Sequence, residues 1–521
     1  MTLAEAAKFI RVSHKTLGEM ARTRRIPCQK VGREWRFLRR ALENWLSGRG
    51  VPAVVPETKD DIEAEGSPEV HETLLTYATT MPGFRDTAFA ENRDQSLHRW
   101  VPWIAGFSAS FVDGVLDRVA DQPPHEVTVL DPFAGVGTTL VEALRRGQNA
   151  VGFEINPYAA LACKAKLNVR SYDVAKLAKR IGAFEKFTRS DGPEGGRLPA
   201  RRAPSGFRSR VPFFAPGVER QVLLCLDFIH READERIKDL FRVALGSVMV
   251  GFSNYSYEPS LGTRAAAGKP EVKAADVAGT VARKLHDMAL DIRSFQESIR
   301  GTSPPPHTDI FPRSYLRLAD ELQPESVDIL ITSPPYLNNY HYVRNTRPQM
   351  FWLSMVAETS DLKVLETESF GQFWQTVRSG PSIRLRPDVP ELSTLIEELR
   401  QRNPEKGHYG GSGWANYAAC YFNDCDRFCE VTRRVMRPGA TVVVVIGNNI
   451  LQGIEFQTDR FFAEIAERRG FELVELHEVR RKRTGSSIVG SSVRMDGGGS
   501  RARLYETAVE LRAPQVRVSS P

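Results

Sequence analysis

Cysteine is scarce in this chain, with six residues among 521. A disulfide framework therefore cannot organise a fold of this length. Three of the six, Cys420, Cys425 and Cys429, lie close together, but their spacings of five and four residues fit an amphipathic helix. They lack the paired C-x2-C form of a structural zinc site. We expect buried, unreactive thiols and no metal centre.

Long apolar runs are also missing. The longest, Thr441–Ile446, is far shorter than the roughly 18 residues that a membrane span requires. The first residues lack the apolar core of a signal peptide. We therefore expect a cytoplasmic protein with no membrane partner.

The charge is unevenly distributed along the chain. The net charge is +7, from 71 basic and 64 acidic residues, yet residues 1–50 hold twelve Lys and Arg against four Glu, a net of +8. The remaining residues therefore sum to −1. A concentrated positive charge of this kind favours a polyanionic partner such as nucleic acid.

The length predicts more than one domain. Residues 48–70 are rich in Gly, Pro and acids and have no apolar periodicity, which is typical of a flexible linker. From about residue 71 to 512, strand and helix patterns alternate, which predicts an α/β fold with a parallel or mixed sheet. Residues 513–521 are expected to form a tail.

The basic N-terminal segment, residues 1–47, has the pattern of two short helices and a hairpin. Leu3–Ile10 is the first helical pattern, Ser13 can cap a second helix that runs to about Ala21, and residues 31–37 look like a wing. The segment resembles the excisionase-type, MerR-like winged helix-turn-helix domains. The alternative is a basic domain that docks another protein. The resemblance implies that these residues contact DNA: Lys15, Arg22, Arg24, Arg25, Lys30, Arg33 and Arg36.

A glycine-rich turn follows the first strand pattern of the larger region. The strand at residues 127–130 continues into Asp131-Pro132-Phe133-Ala134-Gly135-Val136-Gly137-Thr138-Thr139 and a helix. Such a turn presents backbone N–H groups to a ligand at the carboxyl edge of a sheet. It is neither a P-loop nor the three-glycine dinucleotide motif. Glu154 ends the next strand pattern, where a carboxylate can accept hydrogen bonds from both ribose hydroxyls of an adenosyl ligand.

These strings resemble motifs I and II of the S-adenosylmethionine-dependent DNA amino-methyltransferases. The resemblance implies S-adenosyl-L-methionine as cofactor. It also implies that Trp100 and Pro102, in a motif X-like segment, close over the methionine end, and that Asp309 contacts the adenine as the motif III acid. The remaining cofactor residues that it implies are Asp131, Phe133, Gly135, Gly137, Thr138, Thr139, Glu154 and Asn156.

A second motif, Thr332-Ser333-Pro334-Pro335-Tyr336, follows the strand pattern at residues 327–331. Two consecutive prolines stiffen the loop and leave carbonyls without local donors. The Ser333 hydroxyl and the Pro334 carbonyl can accept hydrogen bonds from an exocyclic amino group, and Tyr336 can stack on the base that carries it. Ser333, Pro334, Pro335 and Tyr336 are the predicted catalytic residues.

The resemblance implies a Rossmann-like class I methyltransferase sheet in two halves, residues 71–165 for the cofactor and 305–512 for catalysis. An insertion at 166–304 is the first candidate for target recognition, and 355–413 is the second. Serine in the first position of the motif favours transfer to cytosine N4 over adenine N6.

We therefore expect a double-stranded DNA substrate, flipping of the target base, and a role in restriction-modification or phage defence with a separate nuclease. Two alternatives remain open. An RNA amino-methyltransferase is disfavoured by the helix-turn-helix, because the major groove of RNA does not admit a helix. A DNA-binding regulator with a scaffold methyltransferase domain is disfavoured by the intact motifs. The sequence leaves the oligomeric state undefined.

Overall fold

The computed structural model contains two compact units, Met1–Met81 and Pro82–Pro521, which we describe separately. It describes residues 2–10, 13, 17, 21, 29–31, 34–37, 89–103, 106–119, 122–189, 198–257, 260–301, 304–318, 321–337, 341–482 and 504–515. The predicted linker at 48–70 and the closing helix of the N-terminal domain lie outside these residues, so both stay predictions.

The N-terminal unit has a small core around its first helix. Helix α1 (Leu3–Ile10) precedes the strands β1 (Gln29–Val31) and β2 (Glu34–Arg36), which pair antiparallel as the predicted hairpin. Buried Ala6 and Ala7 of α1 belong to one apolar cluster with Leu17 and Phe37. Leu17 and Ala21 are helical, as expected for the second helix.

The larger unit is built from alternating helices and strands. Its described strands are β3 (Thr128–Asp131), β4 (Asn149–Phe153), β5 (Tyr255–Tyr257), β6 (Leu261–Thr263), β7 (Thr308–Phe311), β8 (Val327–Thr332), β9 (Met436–Gly447), β10 (Asn449–Leu451), β11 (Ile454–Phe456), β12 (Glu472–Lys482) and β13 (Leu504–Arg512). Its first described helices are α2 (Ala109–Val119), α3 (Thr138–Arg145), α4 (Pro157–Leu167), α5 (Val174–Arg189), α6 (Pro216–Arg231), α7 (Glu235–Val248) and α8 (Val277–Ser298). The later helices are α9 (Tyr315–Leu318), α10 (Tyr342–Trp352), α11 (Thr359–Glu368), α12 (Trp374–Val377), α13 (Pro390–Arg400), α14 (Gly411–Val435) and α15 (Thr458–Arg468).

Seven of these strands form one sheet in the order β12-β13-β9-β8-β3-β4-β7. The pairs from β9 to β7 are parallel, whereas β13 is antiparallel to both β9 and β12. The chain builds outward from β3 in both directions, so a crevice opens at the carboxyl ends of β3 and its neighbours. The predicted Rossmann-like α/β sheet is confirmed.

Helices cover both faces of this sheet, and the strands alternate accordingly. Val129 packs into one apolar cluster and Leu130 into the other, and Val443 and Val444 divide in the same way. A strand buried on both faces needs apolar side chains at consecutive positions. This requirement explains the continuous run of valines in β9.

Residues 166–304 supply most of the helical layer on one face. Val222 of α6, Phe241 of α7 and Leu285 of α8 belong to the same apolar cluster as Val129 in the central sheet. The region therefore shares an apolar core with the central sheet. Its role in target recognition stays a prediction.

Candidate functional site

A cleft of about 970 Å³ opens at the carboxyl edge of the sheet, where β3, β4 and β8 end. Predicted site residues from both motifs line it together: Asp131, Phe133, Gly135, Thr138, Glu154, Asn156, Ser333 and Pro335. The two loops, about 200 residues apart in sequence, thus form one cavity.

The glycine-rich turn adopts a backbone that L side chains rarely tolerate. Gly135 has φ +51° and Gly137 has φ +86°. A Cβ on Gly135 would lie 3.1 Å from Trp103 Nε1, and one on Gly137 would lie 2.6 Å from Cys163 Sγ. Helix α3 begins directly after Gly137. The glycines therefore allow the turn to pass closely under the cleft and deliver the N-terminus of α3 to it.

Glu154 lies at the end of β4 and closes one side of the turn. Its Oε2 accepts a hydrogen bond from Gly135 N at 2.8 Å, and its Oε1 accepts one from Asn156 N at 2.6 Å. Burial raises the pKa of this carboxyl to about 7, against the opposing effect of both N–H donors. Ionised Glu154 retains acceptor capacity for further donors in the cleft.

Asp131 connects the two motif loops. Its Oδ1 accepts hydrogen bonds from Phe133 N at 3.0 Å and from the Thr332 hydroxyl at 2.6 Å. Asp131 is 1% exposed and Thr332 is fully buried. Burial raises the pKa of the Asp131 carboxyl to about 6. The position of the second motif is thus fixed relative to the first.

In the second motif, Ser333 and Pro335 face the cleft and Pro334 is buried. Tyr336 does not line the cleft. Its ring packs instead against Gly447 at the end of β9. The contact is close, since a Cβ added to Gly447 would lie 3.1 Å from Tyr336 Cε2. Burial raises the pKa of the Tyr336 phenol well above its ordinary value, and a hydrogen bond with the Ser333 side chain opposes that shift. Asn449 Nδ2 donates to the Leu337 carbonyl and anchors the end of the loop.

The motif X-like segment contributes a residue that the sequence argument did not select. Trp100 is fully buried, and its Nε1 donates to Asp291 Oδ2 of α8 at 3.0 Å. Pro102 borders a second cavity of about 540 Å³. Trp103 is the residue of this segment that lines the cofactor cleft. Trp100 therefore anchors the segment on α8, while Trp103 reaches the cleft.

Asp309, the expected adenine contact, lies on the edge strand β7 opposite Val151. Its side chain is half exposed, it pairs with His307 at 3.4 Å, and it is absent from the described lining of the cleft. Arg313 and Tyr315, which follow the strand, line the cleft instead. The structure therefore places Asp309 apart from the predicted cofactor residues that line the cleft.

Three other predicted residues have supporting contacts. Thr139 is fully buried, and its hydroxyl donates to the Ile331 carbonyl at 3.5 Å. Asn156 caps α4 through its Oδ1, and its Nδ2 donates to the Thr346 hydroxyl at 2.7 Å. Gly137 packs against Cys163 beneath the turn. The polar groups of Thr139 and Asn156 are thus bonded to other protein atoms, and all three residues support the walls of the cleft.

Aromatic walls of the cleft were not predicted from the sequence. Trp103 stacks on Tyr342, with ring centroids 5.9 Å apart, and this pair separates the cleft from the second cavity. Phe370 meets Phe133 edge-on at 5.1 Å, and Phe373 also lines the cleft. Residues 370 and 373 belong to a region without a recognisable motif, so no local pattern could have selected them.

The residues fit an adenosyl cofactor. The N-terminus of α3, the Glu154 carboxylate after β4, and rings such as Phe133, Phe153 and Tyr315 share one cleft. The rings suit a planar base, the Glu154 carboxylate suits hydroxyl donors, and the close approach at Gly135 leaves no room for a side chain.

The predicted DNA contacts of the N-terminal domain are only partly described. Lys30 and Arg36 lie on the paired strands β1 and β2. The other five, Lys15, Arg22, Arg24, Arg25 and Arg33, lie outside the described residues.

The described residues contain no group of three or more His, Cys, Asp or Glu able to hold a metal. The described cysteines, among them Cys420, Cys425 and Cys429, are free and buried. Among the same described residues, no helix is long and apolar enough to cross a membrane.

Comparisons with known proteins agree with the glycine-rich loop and with the N-terminal unit. A family model for a helix-turn-helix domain matches residues 1–50, and a DNA methylase model matches residues 123–164, which include the glycine-rich turn and Glu154.

The type II methyltransferase M.BsoBI of Geobacillus stearothermophilus is 23% identical over 448 residues, covering 77% of this chain and 83% of that protein. The type II methyltransferase M.MvaI of Kocuria varians is 24% identical over 400 residues, covering 74% of this chain and 83% of that protein. A solved rRNA methyltransferase from Streptomyces viridochromogenes covers 84% of this chain and all of that chain, at a TM-score of 0.29 and 10% identity, a similarity too weak to inform the fold.

The sheet order, the cleft at its carboxyl edge and the paired motif loops define a Rossmann-like methyltransferase. Together with the two family matches and the relatives, they place the chain more narrowly. It is similar to the type II DNA methyltransferases of the N4/N6 family, and its first 50 residues match a helix-turn-helix domain.

Proposed function

We infer that this protein is a site-specific DNA methyltransferase that transfers a methyl group from S-adenosyl-L-methionine to the exocyclic N4 of a flipped cytosine. The observation that carries this proposal is the presence of Ser333 in the same cleft as Glu154 and the glycine-rich turn. Serine in the first position of the motif favours cytosine, and its hydroxyl can hold an amino group as an acceptor.

The cofactor supplies an electrophilic methyl group on its sulfonium. Glu154 would accept the ribose hydroxyls, and the aromatic walls would enclose the adenine. Ser333 Oγ and the Pro334 carbonyl would accept hydrogen bonds from the cytosine amino group. This arrangement turns the nitrogen lone pair out of conjugation and towards the methyl carbon.

With the cofactor held there, its methyl group would pass from sulfur to the nitrogen, the sulfonium sulfur would be the leaving group, and the nitrogen would lose one proton to solvent. No covalent nucleophile of the protein is required, so the residues act by positioning. The Thr332–Asp131 hydrogen bond contributes by keeping the acceptor loop in register with the cofactor loop.

Transfer to adenine N6 is the second candidate, because the matched DNA methylase family includes both chemistries by its N6/N4 description. A double-stranded DNA substrate fits the helix-turn-helix domain at residues 1–50. A role in restriction-modification or phage defence, with a separate nuclease, fits the type II relatives.

Nucleoside analysis tests this proposal. The full-length protein is incubated with isotopically labelled S-adenosyl-L-methionine and unmethylated bacterial DNA, and the digested nucleosides are separated by mass spectrometry. Labelled N4-methylcytosine is the expected product. Labelled N6-methyladenine would instead support transfer to adenine N6. In a parallel incubation with RNA, label in RNA but not in DNA would refute the proposal.

A further inference from the structure

An aromatic cluster follows Phe373, one of the walls of the cofactor cleft. Trp374 stacks on Trp414, with ring centroids 5.0 Å apart and 22° between the planes. The ring of Tyr409 meets Trp374 edge-on at 5.7 Å. Tyr409 is 54% exposed, so the cluster reaches the surface. Because Trp374 directly follows Phe373, the cluster adjoins the reaction site.

The guanidinium of Arg378 lies in the angle between two of these rings. Its Cζ is 4.4 Å from the centroid of Trp374 and 4.5 Å from that of Tyr409. Both distances are within the range of cation–π attraction. We call Trp374, Arg378 and Tyr409 the Arg378 notch. Ring contacts restrict the orientation of the guanidinium but cannot satisfy its N–H donors.

Those donors have no acceptor in the described part of the chain. The Arg378 side chain makes no hydrogen bond and no ion pair there, and its Nε is a buried atom without a partner. Its neighbours differ: Arg400 pairs with Glu397, and Arg402 pairs with Glu398 at 2.7 Å.

The indole Nε1 atoms of Trp374 and Trp414 are also buried without a partner. Buried donors in proteins are ordinarily paired. The cluster therefore holds three donors that have no acceptor among the described residues.

We propose that the Arg378 notch contacts the substrate DNA and that the Arg378 guanidinium binds the major-groove edge of a guanine near the target base. This inference rests on the proposed DNA methyltransferase function. A planar guanidinium that is held between rings can donate two parallel hydrogen bonds. Guanine presents two acceptors, O6 and N7, on its major-groove edge.

The exposed ring of Tyr409 adds a surface on which nucleic acid can stack. The notch lies within residues 355–413, one of the two candidate recognition regions. An enzyme that extrudes its target base must also hold the flanking duplex. The location beside Phe373 suits that role.

Selection from a random duplex pool tests the notch independently of methyl transfer. Full-length wild-type protein, Arg378→Gln, Arg378→Lys and Tyr409→Ala are each used to enrich duplexes, and affinity for the wild-type consensus is measured by fluorescence anisotropy. Arg402→Lys is the matched control, because it changes a nearby arginine that already has a carboxylate partner. Thermal unfolding and the Kd for S-adenosylhomocysteine report whether each variant is folded.

The wild-type consensus should contain a guanine whose preference disappears in both Arg378 variants, with affinity weaker by about tenfold. Tyr409→Ala should weaken the same preference, and Arg402→Lys should retain it. An unchanged consensus and affinity in Arg378→Gln would overturn the proposal. Wild-type selectivity in Arg378→Lys would also overturn the proposal, because a lysine can replace an arginine that contacts a phosphate but not one that holds two acceptors of a guanine. The selection measures DNA binding and does not depend on methylation. Failure to detect N4-methylcytosine would therefore refute the proposed reaction but leave the test of the Arg378 notch unaffected.

Discussion

The Thr332 hydroxyl donates a 2.6 Å hydrogen bond to Asp131 Oδ1. Asp131 begins the glycine-rich loop, and Thr332 immediately precedes the Ser-Pro-Pro-Tyr loop. The two residues are 201 positions apart in sequence and almost completely buried. Their contact joins the glycine-rich side of the cleft to the side formed by the Ser-Pro-Pro-Tyr loop.

Replacing Thr332 by valine removes this hydrogen bond at nearly constant volume. We expect a stability loss of about 1–3 kcal/mol, because a buried acceptor loses a donor. We also expect a lower kcat with a smaller change in cofactor affinity, because the acceptor loop loses its register. Denaturant unfolding and steady-state kinetics measure both effects. Thr332→Ser keeps the hydroxyl and should remain near wild type; equal losses in the two variants would contradict this role.

Glu154 should make cofactor binding depend on pH. Its pKa lies near 7 because of burial, and only the ionised carboxylate offers both oxygens to ribose hydroxyls. Affinity should therefore be full above pH 7 and fall by up to about tenfold per pH unit below it.

Isothermal titration with S-adenosylhomocysteine between pH 5.5 and pH 8.5 measures this dependence. Glu154→Gln should bind more weakly and show a flat profile, whereas the control Glu126→Gln, at an exposed site, should keep the wild-type profile. A Glu154→Gln variant with the wild-type pH dependence would exclude Glu154 as the titrating group.

Gly137→Ala should destabilise the protein and weaken cofactor binding. The new Cβ would lie 2.6 Å from Cys163 Sγ, and the residue would retain φ +86°. The left-handed backbone alone costs about 1–2 kcal/mol. Adding Cys163→Ala should relieve the overlap but not the backbone cost, so the double variant should recover part of the loss in Tm. Full recovery would show that backbone conformation has no role at Gly137.

Tyr336→Ala should abolish methyl transfer and leave cofactor binding intact, since Tyr336 is absent from the lining of the cofactor cleft among the described residues. Pro334→Ala should behave similarly, because it loosens the acceptor loop. Tyr336→Phe, which keeps the ring, should retain much of the activity. Loss of S-adenosylhomocysteine binding in both alanine variants would mean that the motif serves the cofactor instead.

Deleting residues 1–50 should weaken DNA binding and its dependence on salt. The segment carries a net charge of +8, and each lost phosphate contact lowers the slope of log K against log salt concentration by about 0.9. Anisotropy measurements over a salt series provide the slope. An unchanged slope would show that the N-terminal domain does not contact the DNA.

Local sequence patterns predicted the parts of the site that fold locally. The strand, glycine turn and helix around Gly135 are adjacent in sequence, and so are the strand and proline loop before Tyr336. The walls contributed by Phe370 and Phe373 could not be predicted, because they depend on how distant helices pack on the sheet.

Two predicted residues lie away from the cleft for the same reason. Trp100 and Trp103 are both large aromatic residues of one short segment, and only tertiary contacts determine which of them lines the cleft. Trp100 donates a hydrogen bond to Asp291 of α8, whereas Trp103 lines the cleft. Asp309 follows a recognisable strand pattern, but the edge position of β7 leaves its carboxylate largely outside the cleft.

A crystal structure with S-adenosylhomocysteine would test the central claim most directly, namely that the two motif loops form one cofactor and acceptor site. The ligand should occupy the cleft with its ribose hydroxyls on the Glu154 carboxylate and its sulfur facing Ser333. A ligand bound away from Glu154, or with its sulfur directed away from the Ser333 loop, would contradict the account.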